Sequence, residues 1–398
     1  MKILHIDETF HPSYGYHVNP LAKFQQMQGH NVTIMTVDKE HLYPVYKEFG
    51  DDGSTVLQED EEYSKATGVK IVRVHTKGYF LKRAVYSSEM FKMIDDIQPD
   101  VIFVHCVETL TGMRFLIRKK RYPLMFDSHM LSMASMNRFV KVYEWAFHNF
   151  LARIIRRHGY YVIRTQDDDY INSHLGIPAS QTPFISFGTD TILFQPSEEV
   201  RIAFRAAYGI AENDFVILYT GKLTEAKGGK LLAEAFTKPL DTNREVVLVI
   251  VGTPPENNYG CEVQALLDQA AVRVVMFPTQ KYADLAKFYQ MADLSVFPKQ
   301  CSMSFYDAQA CGLPVVSEDN NINVDRCSHG NGSNFKSGDV ENFRSEMTKY
   351  ANMDPDDFQQ QRDAAITMIT NRYGYDRIAE EYTDYLKASI SMENKRNR

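Results

Sequence analysis

The stretch Phe215-Val216-Ile217-Leu218-Tyr219-Thr220-Gly221-Lys222-Leu223-Thr224-Glu225-Ala226-Lys227-Gly228-Gly229 sets the fold class. The apolar run Phe215 to Tyr219 predicts a strand buried on both faces, and Leu231 to Phe236 has helical spacing. Between them Gly221 lets the backbone approach a ligand closely, and the following helix start offers unpaired N–H groups to an anion. Lys222 and Lys227 add two positive charges, so the place suits a diphosphate. Spacing alone serves equally a solvated loop before a surface helix. The order G-x-x-x-x-G-K-[ST] is absent, so this is not a Walker loop.

The same alternation continues on both sides. Downstream, Val246 to Val251 is a very apolar strand ending at Gly252, and Val272 to Met276, Leu294 to Phe297 and Val315-Val316 read as later strands. Phe343 to Ile369 and Asp376 to Ile390 read as helical. Upstream, Ile3 to Ile6, Val32 to Val37, Ile71 to Val74, Val101 to Val104, Leu124 to Phe126, Val162 to Arg164 and Phe184 to Ser186 read as strands. Val18 to Gly29 is a helix stopped by glycine. Residues 40–66 are acidic and read as an irregular surface insertion. Val142 to Arg157 is helical, with Trp145, Phe147, Phe150, Leu151, Ile154 and Ile155 on one broad apolar face. The pattern breaks near Phe194-Gln195-Pro196-Ser197. We therefore expect an α/β chain of two Rossmann-like, doubly wound domains facing a cleft: 1–195, 196–375, and a C-terminal helix and polar tail, 376–398, free to pack back on the first domain. Ligands in such sheets sit at the carboxyl ends of the strands.

Composition agrees. The 398 residues suggest two or three domains at about 150 residues each, and 44% hydrophobic with 24% charged residues fills two ordinary soluble cores. This excludes a disordered chain, a coiled coil and a disulfide-stapled miniprotein. The net charge of -7 argues against a chain built to hold nucleic acid. Cys106, Cys261, Cys301, Cys311 and Cys327 are scattered, with no C-x-x-C pair, as suits reduced thiols. No run reaches the roughly 18 apolar residues of a membrane span, and the N-terminus has no signal-peptide pattern, so a cytoplasmic protein is expected.

A second constellation follows the strand ending at Phe297. Pro298 to Met303 form a loop, a helix starts near Ser304, and Gly312 closes it. Ser302 or Ser304 is placed to cap that helix. Asp307 in its first turn suits the helix dipole, and a carboxylate there can also accept ribose hydroxyls.

In this order the features resemble retaining glycosyltransferases of family 4, also called group 1, which have the two-domain GT-B fold. Gly221-Lys222-Leu223 with Lys227-Gly228 is similar to "G-R-L-x-x-x-K-G", and Asp307-Ala308-Gln309-Ala310-Cys311-Gly312-Leu313-Pro314-Val315-Val316 to "E-A-x-A-x-G-x-P-V-V". Pro99-Asp100-Val101-Ile102 with His105 resembles "P-D-V-[IV]-H". Gly188-Thr189-Asp190 with Phe194 and Pro196 resembles the family's boundary motif. Met1-Lys2-Ile3-Leu4 with Pro12, Gly15 and Gly29-His30-Asn31-Val32 resembles its opening. The chain departs from the pattern at Lys299, which stands where the first glutamate of E-x7-E would be, and at Cys301-Ser302-Met303-Ser304, which replaces a glycine-rich loop.

The resemblance implies transfer of a sugar from a UDP- or GDP-linked donor with retention of configuration, and no required metal or cofactor. Lys222 and Lys227 would neutralise the diphosphate and act catalytically with His129, which lies near the family's histidine beside the transferred sugar. Asp307 would hold the ribose. Gly15, Gly221, Ser302, Met303 and Ser304 would complete the donor site, with His17 and His105 on the acceptor side. Glycan, lipid-linked, protein and small-molecule acceptors stay open. Each histidine alone also reads as structural, and Asp167-Asp168-Asp169 as an acidic helix start. The basic run Arg114, Arg118-Lys119-Lys120-Arg121, Arg138, Lys141, Arg153, Arg156 and Arg157 reads as a solvated face or as contact with an anionic membrane surface. A non-catalytic sugar- or partner-binding protein and a nucleotide-sugar epimerase of the same fold remain the alternatives.

Overall fold

The computed structural model describes residues 1–49, 51–118, 121–130, 140–299 and 302–396. Lys119, Lys120, Arg138 and Cys301 of the features above lie outside the described residues. The chain divides into two compact units, Met1–Phe187 with Tyr375–Arg398, and Gly188–Gly374.

In the first unit six parallel strands form one sheet: β1 (Lys2–Ile6), β2 (Asn31–Val37), β3 (Lys70–Val74), β6 (Val101–Val104), β7 (Leu124–Ser128) and β8 (Val162–Arg164), in the order β3-β2-β1-β6-β7-β8. A separate antiparallel hairpin, β4 (Thr76–Phe80) and β5 (Arg83–Tyr86), lies between β3 and β6 in sequence. The second unit repeats the plan with β9 (Phe215–Thr220), β10 (Val246–Val251), β11 (Arg273–Phe277), β12 (Leu294–Phe297), β13 (Val315–Glu318) and β14 (Gly332–Phe335), ordered β11-β10-β9-β12-β13-β14. β9 and β10 are buried along their whole length, which is why they read as unbroken apolar runs. In both sheets the strand order reverses beside the first strand, between β1 and β6 and between β9 and β12. That reversal opens a crevice at the carboxyl ends, the usual ligand position of such sheets.

Several expectations are corrected. The acidic 40–66 segment is not irregular throughout: Val56–Thr67 is a helix closed by left-handed Gly68. Its inner face buries Glu59 and Asp60, and Asp60 is held by the Arg73 guanidinium at 2.6 and 2.9 Å. Phe184 to Ser186 forms a single bridge to Arg164, not a strand. Phe343 to Ile369 is broken into Val340–Ala351 and Pro355–Met368, because Asp354 caps a new helix with proline at its start. Trp145 and Phe150 are exposed, whereas Phe147 and Ile155 of the same segment are buried.

The change of unit comes at Phe187/Gly188, earlier than the expected 195/196. Thr189 is tied to the second unit by its hydroxyl to Asp307, and Phe194 packs edge-on against Tyr282 and Tyr289. The last helix, Tyr375–Arg396, joins the first unit: Tyr375, Ile378, Ala379, Tyr382 and Leu386 are buried in the same core cluster as Phe24 and Phe103.

Candidate functional site

In the second unit the loops after β9 and β12 meet at the reversal of strand order. Gly221 and Gly252 both have left-handed φ, +143° and +142°, and a Cβ on Gly252 would lie 2.0 Å from the Gly221 carbonyl. Gly228 (φ +75°) is pressed against the other loop: its Cβ would meet Lys299 at 3.1 Å and Pro298 at 3.2 Å. Lys299 Nζ donates to the Glu225 carbonyl at 3.2 Å. The Gly252–Gly221 approach is one that only glycine permits, and left-handed Gly228 sets the lysine loop tightly against Pro298 and Lys299. Lys222 and Lys227 are half-buried within it, and the Tyr219 hydroxyl donates to the Lys222 carbonyl at 2.8 Å.

The loop after β12 leads into the helix Ser304–Ala310. Met303 holds the cap position without a side-chain bond, and Ser302 Oγ accepts from the Ser304 N–H at 3.3 Å. The Ser302 carbonyl accepts from Arg326 at 3.1 Å, and that buried guanidinium also lies over the Tyr306 ring, 4.6 Å from its centroid. No motif in the sequence pointed to Arg326. Tyr289 links the two loops: its hydroxyl is 2.9 Å from Thr220 Oγ1, at the end of β9, and also bonds to Ser304.

Asp307 is 4% exposed. Its Oδ1 accepts from the Thr189 hydroxyl at 2.6 Å and from the Tyr282 hydroxyl at 3.3 Å. Burial pushes its carboxyl up to about 7, against the lowering by these two bonds. A buried carboxylate needs more compensation than two neutral hydroxyls supply. The helix-dipole reading of Asp307 therefore misses its main contacts, which come from residues far away in sequence.

In the first unit the crevice beside β1 and β6 is lined by histidines. Asp127, at the end of β7, has no solvent exposure. Its Oδ2 is 2.6 Å from His105 Nδ1, and its Oδ1 accepts from the Cys106 N–H at 2.6 Å. His105 Nε2 is 3.0 Å from His5 Nδ1, and His5 Nε2 is 2.8 Å from Gln25 Oε1. Burial opposes charge on His105, but the adjacent Asp127 carboxylate outweighs it and raises the imidazole above its usual value. His5 is driven down to about 3 by burial and the His105 charge. These directions assign one proton order: charged His105 donates to Asp127 and to His5, and neutral His5 donates to Gln25.

His129 is 28% exposed, with Nε2 at 3.6 Å from Asp127 Oδ2. Its Nδ1 is 2.8 Å from Thr165 Oγ1, whose own hydroxyl donates to the Ser128 carbonyl at 3.1 Å. Thr165 must then accept from Nδ1–H, which leaves Nε2 as the acceptor of the neutral ring. Burial lowers His129 despite Asp127. His17 is buried, with Nδ1 at 2.8 Å from the Tyr375 hydroxyl, and Gly15 lies buried in the preceding loop at φ +47°.

Among the described residues, three groups have donor atoms within 4.8 Å of one another: His17, His105 and Asp127; Cys106, Asp127 and His129; His11, Asp51 and Glu59. Sequence spacing did not single them out. In the first, both ring nitrogens of His105 are already engaged, by Asp127 and His5.

Residues 200–367 match the family model of group 1 glycosyl transferases. The second unit is therefore similar to that family through most of its length. The D-inositol 3-phosphate glycosyltransferase of Segniliparus rotundus is 33% identical over 137 residues, 33% of this chain and 30% of the relative. The chain thus matches about a third of that relative's length. A probable sucrose-phosphate synthase of Thermosipho melanesiensis is 21% identical over 95% of this chain and 92% of its own. Among solved structures, a glycosyltransferase from Rickettsia africae superposes with a TM-score of 0.72 at 15% identity, covering 98% of both chains. Anabaena Alr3699/HepE, solved with UDP-glucose, gives 0.69 at 17% identity over 98% of this chain and all of that one. These likenesses establish the two Rossmann-like domains of the GT-B fold. Among the described residues, no helix is long and apolar enough to cross a membrane.

Proposed function

We propose that the chain is a retaining glycosyltransferase that moves a sugar from a UDP- or GDP-linked donor to an acceptor. The carrying observation is the lysine loop after β9, clamped by Gly228 onto Pro298 and Lys299 at the crevice of a unit that matches group 1 glycosyl transferases. Cleavage of the bond from the anomeric carbon to the diphosphate leaves its electron pair on phosphate oxygen. Lys222 and Lys227 stabilise that charge, and one well-aimed donor is worth about 3–4 kcal/mol at a transition state. Ser302, Met303 and Ser304 border the donor pocket. Asp307 holds the ribose through Oδ2, since Oδ1 already accepts two hydroxyls. His129 presents Nε2 as an acceptor to a sugar hydroxyl. Gly15 lets its loop reach the donor, and His17 and His105 lie on the acceptor side, where His105 also positions Asp127. The activity needs no metal in this reading.

A donor-binding protein without turnover is the second reading. Lys299 in place of the expected glutamate and the raised Asp307 carboxyl favour it. A thermal-shift series with UDP-, GDP- and ADP-sugars identifies the donor. Product analysis then decides: a glycosylated acceptor supports transfer, binding with intact donor supports the second reading, and isomerised donor supports an epimerase.

A further inference from the structure

The segment 140–158 is one helical rod: Val140–Ala146, a wider turn Phe147–Leu151, and Ala152–His158. Phe147, Ala152 and Ile155 are buried in the first unit's core, with Tyr143, Leu151 and Ile154 packed against it. Val142, Trp145 and Phe150 instead stand out at 66%, 62% and 60% exposure. The rings of Trp145 and Phe150 meet edge to face, 5.9 Å between centroids. Lone exposed apolar residues are ordinary, whereas large ones gathered on one element mark a contact surface.

Charge narrows the partner. Lys141, Arg153, Arg156 and Arg157 are exposed on this rod, and Glu144, half-buried and accepting from the Tyr170 hydroxyl at 2.9 Å, is its only acid. Four positive groups and one negative make +3 in a chain of -7. A second copy seated face to face would oppose +3 with +3. Tryptophan favours the headgroup level of a bilayer, and guanidinium groups are drawn to anionic lipid. We infer that this rod docks the first unit on an anionic lipid surface, with Trp145 and Phe150 inserted between headgroups. The inference does not depend on the transferase reading.

Trp145 is the only tryptophan in the chain, so its emission reports this surface alone. Vesicles of phosphatidylglycerol with phosphatidylcholine are expected to shift the emission to the blue and to float the full chain. About 1 M salt, where the screening length is near 3 Å, should reverse binding. Arg153→Glu with Arg157→Glu removes two positive charges and adds two negative ones, so partition should fall at least roughly thirtyfold, about fivefold coming from each lost arginine alone. Circular dichroism melting checks that this variant folds, and Lys141→Glu with Trp145→Ser, followed by flotation, provides a second variant. An unchanged emission with anionic vesicles overturns the inference. So does equal binding to pure phosphatidylcholine, an emission shift that follows protein concentration without lipid, or an equal shift with poly-glutamate.

Discussion

Asp307→Asn separates the energetic consequence of burying this carboxyl from its role toward a ligand. The side chain keeps its shape, and its carbonyl oxygen can still accept from Thr189 and Tyr282. What disappears is the charge. Raising a carboxyl from its ordinary 3.8 to about 7 corresponds to about 4 kcal/mol between its two protonation states. Because the folded value lies above the unfolded one, the folded state binds more protons between pH 4 and 7, and stability falls as pH rises through that window. Parent and variant should therefore unfold alike near pH 4. By pH 8 the variant should be the more stable, by up to about 4 kcal/mol. Urea unfolding of both proteins at pH 4, 6 and 8 reads this difference. A difference that stays constant with pH, or a variant less stable at pH 8, would show that burial does not hold the Asp307 carboxyl up. If the ionised carboxyl holds ribose hydroxyls, nucleotide affinity of the parent rises from pH 6 to 8, and that rise is absent in Asp307→Asn.

Gly252→Ala drives a methyl group to within 2.0 Å of the Gly221 carbonyl at a left-handed φ. It should lower unfolding free energy by roughly 3 kcal/mol or more and weaken nucleotide binding with it; an unchanged melting temperature contradicts the packing. Asp127→Asn leaves His105 without its buried counter-charge and should cost about 3–5 kcal/mol near pH 6. That cost should shrink as pH rises through the raised His105 value, because the parent then loses the same pair, and melting curves at pH 6 and 9 check it. If His129 Nε2, which lies 3.6 Å from Asp127 Oδ2, acts on the sugar as proposed, His129→Ala should lower kcat with little change in KM; a KM effect alone assigns it to the acceptor.

Most strands were legible because a parallel sheet buries both faces of its central strands. β6, β8, β10 and β12 appear within the residues their apolar runs marked. The β4–β5 hairpin was not legible. Its turn uses Leu81 and Lys82 at φ +49° and +62°, where glycine or asparagine would have signalled the reversal. The Val56–Thr67 helix escaped because its inward positions include Glu59 and Asp60, and burial paired with Arg73 or Ser13 carries no hydrophobic period. At the candidate site, the glycines and lysines of 221–228 were readable as one loop. The partners of Asp307, and the order His5, His105, Asp127, join residues up to 118 apart in sequence. No spacing rule reports a proton order set by two buried rings and a carboxylate.

The proposed donor site depends on Lys222 and Lys227 gripping a diphosphate. Isothermal titration of the parent, Lys222→Ala and Lys227→Ala with the nucleotide sugar found by thermal shift tests it most directly. Each substitution should weaken binding at least tenfold, as expected when a charge-assisted bond worth about 1.5–3 kcal/mol is lost. Affinity in both variants equal to that of the parent would place the diphosphate elsewhere and contradict the account.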